Sequence, residues 1–340
     1  MLKEAISKII NKEDLTRSEA KAVMDYIMSG SATPAQIGGF LTAMRMKGET
    51  VDEITGFAIS MRENASRISP KVPFLIDTCG TGGDGANTFN ISTAAAFVAS
   101  AAGVGVAKHG NRSVSSKSGS ADVLEELGVI INLPKEDVCR CIEDVGIGFM
   151  FAPAFHGAMK YAIGPRRELG VRTVFNMLGP LTNPAGVEGQ LMGVYSSDMT
   201  EPMAEVLKNL GAKHAMVINS EDGLDEISIS APTKVSEVFN GEIRTYTINP
   251  EDFGFSKRKL SEVKGVDPKG NAEMIIALFK GEKGAKRDIV ILNAGAAIYV
   301  GNKAKTLSEG MKLAADIIDN GSAYKKLNEF VEFTNALKVS

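Results

Sequence analysis

The chain has 340 residues, 44% hydrophobic and 23% charged, a composition that can build a large buried core. A formal net charge of −3 excludes the bulk basic field that draws nucleic acid or an anionic membrane, so any polyanion must meet a local cluster of donors. The 3 cysteines, Cys79, Cys139 and Cys141, form no C-x-x-C pair and are too few for a disulfide framework, which suits a reducing, cytoplasmic setting. The opening "MLKEAISKII" lacks a long apolar run and a small-residue cleavage site, so no secretory leader is expected. No stretch reaches the roughly 18 uninterrupted apolar residues of a membrane span.

In chain order, residues 1–66 read as helices only. Thr16 with Glu19, and Thr50 with Glu53, have capping-box spacing, and Thr33-Pro34 opens a further helix. "SRISPKVP" (66–73), with two prolines, reads as a linker. Strand and helix candidates then alternate. "FLIDTC", "VGVAKHG", "IGFMFAP", "HAMVINS" and "DIVILNAGAAIYV" are the strand cores. "ISTAAAFVASAAG", "SADVLEELG" and "EDVCRCIEDVG" are helices, and so is the C-terminal stretch of about 35 residues. Alternation of this kind predicts an α/β fold: a central, mostly parallel sheet flanked by helices, beside the small all-helical domain. Residues 164–184, "GPRRELGVRTVFNMLGPLTNP", interrupt the alternation and read as a return through the helical domain or a hinge. The large domain would then comprise 73–163 and 185–340.

The candidate site lies after the first strand, where Gly80, Gly82 and Gly85 spell G-x-G-x-x-G. A dinucleotide fold also wants an acid about 20 residues on, at the end of the next strand. That strand ends instead in Lys108, His109 and Gly110. Asp84 inside the loop would repel a bare pyrophosphate, and makes sense if a divalent cation or a sugar hydroxyl lies there too. Asn87, Thr88, Asn90, Ser92 and Thr93 gather where a helix begins, more polar residues than one cap needs, and form an anion site. "KHGNRSVSSKSGSADVLEELG" (108–128) adds three cations and five serines before another helix start at Ser118–Ser120. Two such sites on adjacent strands suit a ligand with phosphates at both ends.

"GTGGDGANTFNIST", "KHGNRSVSSKSGSADVLEELG" and "RRELGVRTVFNMLGPLTNP" together resemble the anthranilate phosphoribosyltransferase family, collinearly over nearly the whole chain. The resemblance implies a pyrimidine nucleoside phosphorylase-like fold with a cleft between its two domains. It implies transfer of the 5-phosphoribosyl group from phosphoribosyl pyrophosphate (PRPP) to the amine of anthranilate, the second step of tryptophan synthesis. Homodimers joined through the helical domain and Mg²⁺, two ions per subunit, belong to the same expectation. Carried over by motif, Gly80, Gly83, Asp84, Thr88, Asn90, Ile91, Ser92 and Thr93 match PRPP-binding positions. So do Lys108, His109, Gly110, Asn111, Arg112, Ser115, Ser116 and Ser120. Gly80, Asn111 and Arg166 match anthranilate-binding positions, and Ser92, Asp225 and Glu226 match metal ligands. One departure is "FHGAMK", where Gly157 follows His156 and the family usually carries proline.

These roles make chemical sense. Displacing pyrophosphate requires its charge to be neutralised and the nucleophile held in line. An arylamine is neutral at pH 7, so no strong base is needed, and none is evident. His109 and His156 are candidates for positioning or late proton removal, and structural histidines equally. Arg166 or its neighbour Arg167 could bind a carboxylate as a planar fork. Adjacent strand residues point oppositely, so Asp225-Glu226 should sit at a turn or strand end, as Gly223 suggests. A nucleoside phosphorylase acting on a pyrimidine nucleoside is the second reading, and a silent PRPP-binding regulator the third.

Overall fold

The computed structural model describes residues 1–113 and 117–339. Four helices open it: α1 (Leu2–Ile10), α2 (Arg17–Met28), α3 (Pro34–Lys47) and α4 (Val51–Glu63). The capping boxes at Thr16/Glu19 and Thr50/Glu53 form, and Thr33 with Gln36 makes a third, with Pro34 at the first helical position. Phe40 and Phe57 meet edge to face at the centre of this bundle, their centroids 5.8 Å apart.

Next come β1 (Leu75–Thr78), α5 (Ile91–Ala101), β2 (Gly105–Gly110), α6 (Ser120–Glu126), α7 (Lys135–Arg140), β3 (Ile147–Phe151) and α8 (Ala152–Phe155). Two helices, α9 (Lys160–Leu169) and α10 (Phe175–Leu181), interrupt the alternation. α9 packs on α2 and α3, and α10 on α4, so Ala162, Phe175 and Leu178 share one core with Met24, Phe40 and Phe57. The chain continues with β4 (Gly189–Gly193), α11 (Thr200–Asn209), β5 (His214–Ser220), β6 (Thr233–Phe239) and β7 (Glu242–Ile248). It ends with α12 (Pro268–Phe279), α13 (Ala285–Val300), α14 (Leu307–Asp319) and α15 (Ser322–Val339).

The seven strands form one sheet in the order β3-β2-β1-β4-β5-β6-β7. β3 to β5 run parallel, while β6 and β7 run antiparallel. Two sequence expectations change here. "DIVILNAGAAIYV" is not a strand: it lies in the 16-residue α13, apolar nearly all round because it is buried between α5 and α14. Periodicity cannot separate a fully buried helix from a buried strand, but this length can. The β6–β7 hairpin was not anticipated, although Asn240-Gly241, both at positive φ (51° and 80°), is the two-residue turn that favours one.

β1 has β2 on one side and β4 on the other, so the chain order reverses at β1. The crevice beyond the carboxyl ends of β1 and β4 is where open α/β sheets hold ligands.

Candidate functional site

The glycine-rich loop leaves β1 at that crevice. Gly82, Gly83 and Gly85 take φ of +65°, +81° and +73°, the left-handed region that glycine enters without steric cost. Its ends are pinned. The Thr81 amide donates to the Gly193 carbonyl of β4 (2.9 Å), and the Phe89 amide to Val263 (3.2 Å). The Gly82 amide donates to Asp225 Oδ2 at 2.9 Å. Between these anchors the amides of Gly83, Asp84 and Gly85 have no partner among the described residues. Neighbouring free amides in such a turn make an anion-binding concavity.

Three carboxylates crowd the same place. Asp225 and Glu226 lie in the turn after β5, behind Gly223 at φ +90°, as the spacing required. Burial pushes Asp225 above the usual carboxylate range, and the charge of Asp84 pushes it further. Burial likewise raises Glu226 well above its ordinary value, Asp225 adds to the push, and Lys108 opposes it. The Ser92 amide, in the first turn of α5, also acts against the rise of Glu226. Gly80 has to lack a side chain: a Cβ there would lie 2.6 Å from Asp225 Oδ2. Lys108 is buried, with its ammonium bonded to the Thr78 carbonyl and 3.5 Å from Ser92 Oγ.

Among the described residues no three acids, histidines or cysteines close into a metal cage. An open set of hard carboxylates, with Asp225 and Glu226 raised by burial and by the acids beside them, nevertheless fits Mg²⁺, which is commonly held by one or two carboxylates with phosphate oxygens and water completing the shell.

β2 delivers the second predicted segment. The backbone amide of His109 donates to Asp77 Oδ1 (3.2 Å), and Asn183 Nδ2 to Asp77 Oδ2 (2.8 Å). Burial raises Asp77 to about 6 against the opposing charge of Lys108. The His109 and His156 rings lie 5.0 Å apart, and neither Nε2 has a partner among the described residues. Burial pushes His109 down to about 3, with His156 adding to the shift, and pushes His156 down to about 4. Both are therefore neutral imidazoles at pH 7.

The remaining predicted residues divide. Asn111 Oδ1 accepts from the Arg112 amide (2.7 Å), and its carbonyl accepts from Ser120 Oγ (3.3 Å). Arg112 is turned to α6, bonded to Asp122 and Glu125 at 3.0 Å each. The Asn90 side chain ties loops together, accepting from Ser118 Oγ and Asn271 Nδ2, both at 3.0 Å. Thr88 bridges to Lys264 in the antiparallel sense, Ile91 is buried, and Thr93 Oγ1 is buried without a partner among the described residues. Gly110 packs against Ser120 and Phe149. Ser115 and Ser116 lie outside the described residues.

Arg166 is half-buried and stands 4.9 Å above the Phe175 ring, whereas Arg167 is exposed. No carboxylate or hydrogen-bond partner meets Arg166 among the described residues, and burial alone pulls its guanidinium below the ordinary value. A half-buried cation without a counter-ion is a place for an anion. Sequence reasoning missed Asp77, Asn183 and Arg172. A lone acid in the apolar strand "FLIDTC" was the available signal for Asp77.

Sheet order, crevice and polar groups define a transferase in which a helical bundle faces an α/β domain carrying phosphate-type loops. Residues 3–65 match the glycosyl transferase family's helical bundle domain, and 73–324 match its a/b domain. Among curated proteins, the anthranilate phosphoribosyltransferase of Acetivibrio thermocellus is 58% identical, with 99% of this chain and 97% of that protein covered. The Thermus thermophilus anthranilate phosphoribosyltransferase structure superposes with a TM-score of 0.93 at 44% identity, covering 97% of this chain and 99% of that one. The Saccharomyces cerevisiae enzyme in complex with PRPP and Mg gives 0.91 at 27% identity, with 98% of both chains covered. The chain belongs to the anthranilate phosphoribosyltransferase family, as its motifs implied.

Proposed function

We propose that this chain transfers the 5-phosphoribosyl group of PRPP to the amine of anthranilate. The observation that carries this reading is a loop of free amides crowded by Asp84, Asp225 and Glu226, together with an arginine on α9 that has no counter-ion among the described residues. The amides of Gly83, Asp84 and Gly85 receive the pyrophosphate. Lys108, Asn111, Ser120 and the first turn of α5 line the rest of the donor site, with Ser115 and Ser116 assigned by motif alone. Asp225, Glu226, Asp84 and the Ser92 hydroxyl hold magnesium, whose charge offsets that of the departing pyrophosphate. Arg166 receives the anthranilate carboxylate and so aims the amine.

The C1–N bond forms as the bond from C1 to the pyrophosphate oxygen breaks. The arylamine supplies the electron pair and afterwards loses a proton. His109 and His156, neutral and with free Nε2 atoms, position the acceptor or take that proton. Dimerisation through the helical domain belongs to the same reading, supported by Ile10 and Met46, which stand 67% and 82% exposed. So does a cytoplasmic setting, supported by the free state of Cys79, Cys139 and Cys141.

The test is pyrophosphate release from PRPP and Mg²⁺ with and without anthranilate. Release only when anthranilate is present supports the reading. Phosphorolysis of thymidine instead would favour the nucleoside phosphorylase.

A further inference from the structure

Arg172 lies between α9 and α10, in the segment that packs on the helical bundle. Its guanidinium stacks 4.5 Å above the Tyr195 ring, and Nη2 donates to the Gly83 carbonyl. Among the described residues no carboxylate pairs with it, so this charged donor is committed to one backbone oxygen of the glycine-rich loop. From the other side, Asp225 accepts the Gly82 amide. An acid and a base from two different segments thus grip successive residues of the loop.

This grip fixes an orientation. In a trans peptide the carbonyl and the following N–H point in opposite directions. With the Gly83 carbonyl turned to Arg172, the Asp84 N–H points to the other side of the loop, and it has no partner among the described residues. Rotation of this peptide turns on ψ of Gly83 and φ of Asp84, and at Gly83, at φ +81°, no side chain restrains it. Rotation would present a carbonyl oxygen where the amide stood, and a carbonyl repels phosphate. The contact also leaves no room for a side chain: a Cβ on Gly83 would lie 2.6 Å from the Arg172 guanidinium.

We propose that Arg172 is a positioning residue for the donor: stacked on Tyr195, it locks the Gly83–Asp84 peptide with its N–H turned toward the pyrophosphate. The inference rests on the functional reading above. It couples the donor loop to the segment that also carries Arg166, so both substrates are aligned by one structural unit.

The experiment is steady-state kinetics of the full chain with PRPP, Mg²⁺ and anthranilate, comparing wild type with Arg172→Met and Arg172→Lys. Arg172→Met is expected to raise the PRPP KM about tenfold or more, with the anthranilate KM changed less than about twofold. Arg172→Lys keeps a donor and should recover part of the loss. Tyr195→Leu removes only the stacking platform, so it should raise the same KM by a smaller factor and keeps the test available if the Arg172 variants aggregate. Active wild type with an unchanged PRPP KM in Arg172→Met would overturn this inference alone, as would equal rises in both KM values. A folded wild type that releases no pyrophosphate would overturn the functional reading and this inference with it.

Discussion

Glu53, in the first turn of α4, is fully buried, and every demand of its carboxylate is met within the protein. It accepts the amides of Leu15 and Thr50 at 2.9 and 2.8 Å and the ammonium of Lys47 at 3.0 Å. Asp225 and Glu226, at the sheet edge, meet Asp84 as a further acid, with Lys108 as the opposing cation. The difference separates two uses of a buried charge. In the bundle an acid that is paired and hydrogen-bonded fixes how three segments join. At the sheet edge acids are held at a cost to the fold, and the compensation arrives with the ligand.

Removing the charges should therefore have opposite effects on stability in the two regions. Asp225→Asn with Glu226→Gln is expected to reduce kcat/KM by about a thousandfold or more, through loss of the metal's charge stabilisation. Stability should rise. A carboxyl whose folded pKa lies above its unfolded value weakens the fold as pH climbs through that interval, so the neutral amides should raise Tm at pH 8. A lowered Tm in this correctly folded variant would break the contrast. Glu53→Ala is expected to cost about 3–5 kcal/mol by leaving Lys47 buried beside a missing partner. That loss should be visible as a lower denaturation midpoint, with both substrate KM values unchanged in the folded protein.

Much of this was legible in the sequence because local chemistry carried it. Capping boxes announced Thr16 and Thr50, Pro34 announced the helix after Thr33, and the glycine spacing announced the loop. What was not legible depended on tertiary surroundings. α13 has no polar face to reveal its period, because α5 and α14 cover it. Asn90 and Arg112 carry the residue types of phosphate ligands, yet Ser118, Asn271, Asp122 and Glu125 engage them. Which of two adjacent arginines turns inward depends on the phase of α9 against the bundle. The motif match had pointed to Arg166, and the fold sets it over Phe175 and leaves Arg167 in solvent.

Arg166 extends the comparison to a cation. Lys47 has its acids, Asp14 at 2.6 Å and Glu53 at 3.0 Å, whereas Arg166 has none among the described residues. Arg166→Ala is expected to raise the anthranilate KM by the worth of one charge-assisted contact, about 1.5–3 kcal/mol, with the PRPP KM little affected. An unchanged anthranilate KM would remove this residue from the acceptor site.

The smallest effect concerns the two histidines of the crevice. Both are held neutral, with pKa pushed down to about 3 for His109 and about 4 for His156 from an ordinary 6.5. A base whose folded pKa is depressed contributes stability that is present above its unfolded pKa and lost as pH falls toward the folded value. The loss therefore begins near 6.5 and continues down to about 3–4, at up to ~1.4 kcal/mol per pH unit for each group. The raised acids act oppositely, since lowering the pH relieves them. Between about pH 6.5 and 4 the measured slope is thus a difference of two contributions, one from the imidazoles and one from the carboxylates. His156→Gln takes away one imidazole and leaves the acids, so the decline of Tm across that interval should become shallower while the value at pH 8 moves little. An equally steep decline would mean that this imidazole is already charged in the folded protein, and that its Nε2 is a donor rather than the acceptor a proton-removal role needs.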